Sequence, residues 1–307
     1  MKPSAASARP SPALTGYALL AVSLVIWGSI GVFVRYSTMP ESALIVFRMV
    51  VGGTIVGALF ARRGMLDEVR RPEVWPNILL MGALSSSILM LFFIALRLTD
   101  VAIGMFLLFT GPVYVALVAP RFTHQRRDRM VYPALAVALA GMATILLPGI
   151  LGAERVSATG IACGVLSGVL FGAITLAAKR LTHKVRSPTM ALGEMVVDTV
   201  LLLPLALWQI LSTGYQFTQN DLVAGLALGV LCTAIPYVLY AEGLRRVRVE
   251  HASILGYLEP VSAPFYALLL LGEAPAATTV AGGALIVAAG VLVVTFGAPD
   301  AAPELGP

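Results

Sequence analysis

Between Trp75 and Leu96 the chain contains no charged residue, and nine further stretches are nearly as bare. A helix of roughly 20 apolar residues spans a bilayer, and its backbone groups bond to one another, so such stretches read as transmembrane helices. With 58% hydrophobic and 12% charged residues, the chain has too little polar material to cover a soluble surface. Ten spans take about 200 of the 307 residues. The rest suffices for short connections and two tails, and no soluble domain fits.

The spans are expected at about 14–35, 42–61, 75–96, 101–119, 131–148, 159–179, 188–210, 222–244, 249–271 and 278–297. All but four of the 21 Lys and Arg residues fall on one side: in the N-terminal tail, 62–71, 121–129, 179–186 and 245–248. Arg35, Arg97 and Arg155 lie on the other side, and Arg48 lies inside a span. The positive-inside rule then places both termini in the cytoplasm. The net charge of +5 serves orientation rather than nucleic-acid binding. Cys163 and Cys232 sit within spans without metal-ligand spacing and read as packing residues.

A 148-residue offset matches Leu96, Arg97, Val101, Leu107, Pro112 and Val113 to Leu244, Arg245, Val249, Leu255, Pro260 and Val261. Trp27-Gly28 similarly resembles Phe171-Gly172, and Arg48 has Glu194 as its counterpart. The chain therefore reads as two related halves. Five spans is an odd number, so the halves enter the membrane from opposite sides, a common construction of transporters with a midplane site. The expected fold is all-α, an integral membrane protein of ten helices in two inverted five-helix repeats around a central cavity. Its parts are a disordered cytoplasmic tail (1–13), a first repeat (14–148), a linker (149–158), a second repeat (159–297) and a cytoplasmic tail (298–307).

Charges inside spans are costly in lipid, so each is a candidate for function. Arg48 lies about 9 Å from the outer end of its span, and either snorkels and pairs structurally or binds an anion. Glu194 and Asp198 are four apart and share a helix face. They either carry a proton or are held by structural hydrogen bonds. Glu259 sits near the midplane beside Pro260, with structural bonding, substrate-amine recognition and proton coupling as its alternatives. Because Pro260 has no N–H, the Gly256 carbonyl is expected to be free. Pro112, Gly256 and Pro260 mark broken backbone and hinges. Glu242 and His251 are read as interfacial or as a gating pair, and Glu273 as a helix-end residue.

Trp27, Ser86, Phe93, Tyr114, Tyr237, Tyr240 and Tyr257 together describe an aromatic cavity with hydroxyl donors, suited to a small amphipathic organic molecule. There is no phosphate loop, metal cluster or nucleotide fingerprint. No cofactor or catalytic residue is expected. An intramembrane enzyme is the reading from a different class.

Trp-Gly near the end of the first span with Arg35 following, Arg48 in the second, and Tyr257-Leu258-Glu259-Pro260-Val261 running to Leu271-Gly272-Glu273 resemble the EamA branch of the drug/metabolite transporter superfamily. The likeness covers residues 14 to 297. At the end of the fourth span the chain departs from it, with Ala119-Pro120-Arg121-Phe122 in place of the family's Gly-Glu. The resemblance implies a ten-helix exporter of the bacterial inner membrane. Spans one, three, four, six, eight and nine would surround the cavity, moving small molecules without ATP. Aromatic amino-acid exporters of that branch are similar in layout. Amino acids are thus the first substrate expectation, with lipophilic cations and uptake instead of export as alternatives. Proton coupling and the choice between monomer and homodimer stay open.

Overall fold

The computed structural model describes residues 12–62, 71–111, 114, 157–181, 187–244, 246 and 255–296, with parts of 133–144. The described residues are helical throughout their regular structure. The helices are α1 (Pro12–Trp27), α2 (Ile30–Tyr36), α3 (Glu41–Arg62), α4 (Trp75–Leu98), α5 (Val101–Leu108) and α6 (Ala158–Leu181). There follow α7 (Ser187–Thr213), α8 (Gln219–Gly229), α9 (Ile235–Leu244), α10 (Leu258–Leu271) and α11 (Ala277–Phe296). A 3₁₀ turn (Pro72–Val74) leads into α4, and a π turn (Val230–Ala234) joins α8 to α9.

Six of these segments are long and apolar enough to cross a bilayer: Leu14–Tyr36, Glu41–Arg62, Pro72–Leu98, Ala158–Ala177, Thr189–Thr213 and Gln219–Gly243. Leu258–Leu271 and Ala277–Ala289 are shorter apolar helices. The expected stretch 101–119 is described over α5 and little beyond, and most of 131–148 lies outside the described residues, as does Pro112. Large apolar side chains point outward, including Trp208, Leu211 and Leu269. That is the arrangement a lipid environment stabilises.

The N-terminal and C-terminal helices interleave instead of forming separate bodies. Helix α4 packs against α6 and α7, α3 against α7 and α8, α1 against α9, and α5 against α6 and α10. Gly82 shows how close α4 and α7 run: a Cβ there would lie 2.4 Å from the Cβ of Val197. Small residues at helix crossings permit such approach where lipid supplies no hydrophobic drive between helices.

Three breaks interrupt the helices at the level of the site. The first span divides at Gly28-Ser29, where Ser29 Oγ donates to the Ile26 carbonyl at 2.6 Å. Helix α5 ends at Leu108 and turns at Phe109-Thr110. The chain turns again at Gly256-Tyr257 before α10 begins. Under the 148-residue offset the last two breaks fall within one residue of each other, with Phe109 matched to Tyr257, and the rings of these two residues meet with centroids 6.4 Å apart.

One sequence expectation is corrected here. The Gly256 carbonyl is not free, because Glu259 N–H donates to it at 3.3 Å. Pro260 falls in the first turn of α10, where a missing N–H leaves no carbonyl unpaired. Pro204 and Pro264 lie inside helices, and the proline that releases a carbonyl at the site is Pro236, whose four-back partner is Cys232. Around it the helix widens into the π turn, with Thr233 Oγ1 donating to the Leu228 carbonyl at 2.8 Å.

Candidate functional site

The breaks surround a cavity of about 220 Å³. Among the described residues its wall is aromatic and aliphatic, from Trp27, Phe92, Phe171, Tyr237 and their neighbours, with Arg48, Glu194 and Glu259 as charged members. The volume lies below the roughly 300–1,000 Å³ of drug-sized sites and matches a small solute.

Arg48 is 5% exposed and does not snorkel. Its Nε donates to Thr233 Oγ1 at 2.7 Å and one terminal nitrogen reaches the Cys232 carbonyl at 3.4 Å. Trp27 Nε1 donates to the same carbonyl at 3.0 Å. The carbonyl released by Pro236 thus holds in place both the arginine and the tryptophan of the wall. The second terminal nitrogen of Arg48, Nη1, is buried and has no partner among the described residues. The guanidinium carbon stands 6.0 Å from the centroid of Phe93, which supports it as a cation–π platform.

The acids differ in surroundings. Asp198 is 1% exposed and accepts from Ser86 Oγ at 2.7 Å and Ser85 Oγ at 3.0 Å. Glu194, one turn away on α7, borders the cavity. Glu259 borders it from the first turn of α10. Among the described residues neither glutamate's carboxylate has a hydrogen-bond or ion-pair partner. Among the described residues Arg48 forms no ion pair with Asp198 or Glu259.

Of the expected lining residues, Trp27 and Tyr237 border the cavity, their rings 5.5 Å apart in an edge-on pair. Tyr240 stacks behind Trp27 at 5.3 Å, and Tyr257 is buried against Phe109. Tyr114 is half-buried and does not border the cavity. Ser86 and Phe93 sit one residue out of register: Ser85, Ile88, Leu89 and Phe92 form the α4 face toward the cavity. Ser86 turns to Asp198, and Phe93 is fully buried beneath Arg48. Sequence reading missed Phe171 as a wall residue, although its match to Trp27 was the available signal. Gly256 lies at the turn before α10, and His251 lies outside the described residues. Glu242 pairs with Arg246 at 2.6 Å.

One end of the bundle is fastened by polar contacts. Asp221 is fully buried, and its Oδ1 accepts from Ser37 Oγ at 2.8 Å, Thr38 N–H at 2.9 Å and Met39 N–H at 3.1 Å. Its Oδ2 accepts from Tyr215 at 2.5 Å and from the Thr218 amide and hydroxyl at 2.8 and 2.7 Å. Burial and the bond donated to Asp221 push the Tyr215 phenol above its ordinary range. Nearby, Arg35 pairs with Glu273 at 2.6 Å and donates to the Thr99 carbonyl at 2.8 Å. Gly272, with φ of +69°, makes the turn that presents Glu273. Arg97 pairs with Glu41 at 3.3 Å and donates to the carbonyl of Met39. The Asp221 contacts join the Ser37–Met39 turn to α8, Arg35 joins α2 to the end of α10, and Arg97 joins α4 to the segment from Met39 to Glu41.

Residues 14–147 and 158–296 each match the EamA-like transporter family. An uncharacterised transporter of Archaeoglobus fulgidus is 27% identical over 279 residues, covering 91% of this chain and 95% of the relative. The pseudopaline exporter CntI of Pseudomonas aeruginosa is 25% identical, covering 82% and 86%. The threonine/homoserine exporter RhtA of Escherichia coli is 28% identical, covering 74% and 72%. A protein of known crystal structure shares the fold with a TM-score of 0.64 at 20% identity, covering 94% of this chain and 99% of that one. This multi-pass membrane chain, with two family matches in tandem, belongs to the EamA-like transporter family.

Proposed function

We propose that the protein is a bacterial inner-membrane exporter of small metabolites, amino acids first, which works by alternating access. The observation that carries this reading is the cavity: a small chamber between interleaved helices, walled by Trp27, Phe92, Phe171 and Tyr237 and bearing charges of both signs. Aromatic walls accept an apolar side chain, and charges of both signs accept a dipolar backbone. Relatives that export pseudopaline and threonine or homoserine support small polar metabolites as cargo.

In this reading ten spans form two inverted repeats, 14–148 and 159–297, with both termini cytoplasmic. The end fastened by Asp221, Arg35 and Arg97 then faces outward. Opening it requires release of those contacts while the cytoplasmic ends close. The breaks at Phe109-Thr110 and Gly256-Tyr257 are the hinges, with Pro112 and Pro260 beside them. Arg48, Glu194, Asp198 and Glu259 are the charged groups that meet substrate or a coupling proton. Backbone breaks at a midplane site recur in secondary transporters because cavity-lining backbone escapes lipid.

The test is exchange in proteoliposomes loaded with one unlabelled amino acid per batch, following entry of labelled phenylalanine or threonine. Stimulated entry is expected, and its ranking defines the pocket. Absence of stimulation by any amino acid in folded protein would overturn the amino-acid reading. A second reading has a specific support: two unpaired glutamates against one arginine favour a cation. Competition by lipophilic cations without competition by amino acids would establish it.

A further inference from the structure

Within the cavity, charged groups lack protein partners in a particular pattern. Arg48 is nine-tenths buried, two of its nitrogens are used, and Nη1 is left over. A buried donor on a charged group without an acceptor is costly. Arg97 Nε is also left over, but of the two only Arg48 borders the cavity, where an acceptor could arrive. Glu259 borders the same cavity from another helix with no ion pair among the described residues. No ion pair joins the two among the described residues, although both border the same chamber. Glu194 borders the chamber as well, one helical turn from Asp198 on α7.

We propose that Arg48 and Glu259 hold the two poles of one zwitterionic substrate, the carboxylate on Arg48 Nη1 and the ammonium on Glu259. This rests on the exporter reading and sharpens it to α-amino acids. Ligands with only one pole are refused, because each leaves a buried charge unmatched. Trp27, Phe171 and Tyr237 then receive the side chain. Glu194 is left to take a proton or a second cation. An acidic cluster or an unpaired arginine alone would suit many ligands, whereas two opposite charges that face one small chamber without neutralising each other select a dipole.

The test uses full-length protein in proteoliposomes exchanging labelled L-phenylalanine, with L-phenylalanine, phenethylamine and 3-phenylpropionate as competitors. The wild type should discriminate against both one-pole analogues by about a hundredfold or more, as sites do when a ligand lacks a group they bond. Glu259→Gln should relax the discrimination against 3-phenylpropionate and leave that against phenethylamine. Arg48→Gln should do the reverse. Since Arg48 also bonds Thr233 and Cys232, Arg48→Lys serves as the variant that keeps the charge, with an intermediate pattern. One-pole analogues that compete as well as phenylalanine, or variants that weaken all three ligands alike, would overturn the pole assignment while the exporter reading stands. Wild-type vesicles that exchange no amino acid would overturn both the pole assignment and the amino-acid reading of the exporter.

Discussion

Asp221→Ala should unfasten the end of the bundle, and the size of the effect follows from the bonds removed. Three donors of the Ser37–Met39 turn hold Oδ1 closely, at 2.8, 2.9 and 3.1 Å, with the Thr38 hydroxyl more distant at 3.4 Å, all from the other part of the chain. At about 1 kcal/mol net each, their loss weakens the closed arrangement by about 3 kcal/mol, or roughly a hundredfold in the local opening equilibrium. The Thr38 and Met39 amides report this directly, because Asp221 is their acceptor. Hydrogen–deuterium exchange of a peptide covering residues 37 to 41 should accelerate by about two orders of magnitude. Tyr215→Phe is the control. It removes the 2.5 Å bond to Asp221 and the 2.8 Å contact with Thr38 but leaves all three Oδ1 bonds, so its effect should stay within about tenfold. Exchange of that peptide unchanged in Asp221→Ala would refute the idea that this carboxylate fastens the end.

Gly28→Ala should lower thermal stability by about 1–3 kcal/mol and reduce transport, since its Cβ would stand 2.0 Å from Ser262 Oγ and 2.9 Å from the Glu259 carbonyl. Retained melting temperature would show that α1 and α10 part easily. Replacing Ser85 and Ser86 together by Ala strips Asp198 of both hydroxyl donors and should cost about 1–3 kcal/mol per bond, measured by thermal unfolding. Adding Asp198→Leu to that pair should recover part of the loss, because the unmatched charge goes with it. Pro236→Ala restores an N–H that competes for the Cys232 carbonyl. Substrate affinity should fall as Trp27 and Arg48 lose their shared acceptor, and binding titration of L-phenylalanine would register it.

What could be read from the sequence was whatever depended on pairs repeated at a fixed offset or on charges out of place. Arg48 and Glu194, matched as counterparts, both border the cavity, as do Trp27 and its match Phe171. The break at Gly256-Tyr257 was legible from Gly256 and Pro260, though the freed carbonyl was assigned to the wrong proline. A proline in a first helical turn and one in a helix interior look alike until the helix start is known. Ser86 and Phe93 failed for a rotational reason. A step of one residue turns a helix by about 100°, and an apolar span is hydrophobic on every side, so no moment reveals which face lines a cavity. Asp221 was overlooked because its role depends on a turn more than 180 residues away. Thr218 to Asp221 does carry the spacing of a capping box. That spacing announces a helix start and says nothing of what docks on it.

The most direct test of transport through the central cavity uses Leu89→Cys, a wall position on α4, in protein with Cys163 and Cys232 replaced by Ser. After a bulky thiol reagent has reacted at residue 89, exchange of labelled L-phenylalanine should stop, and excess unlabelled L-phenylalanine present during the reaction should protect against it. Full exchange by quantitatively labelled protein would contradict passage through this cavity.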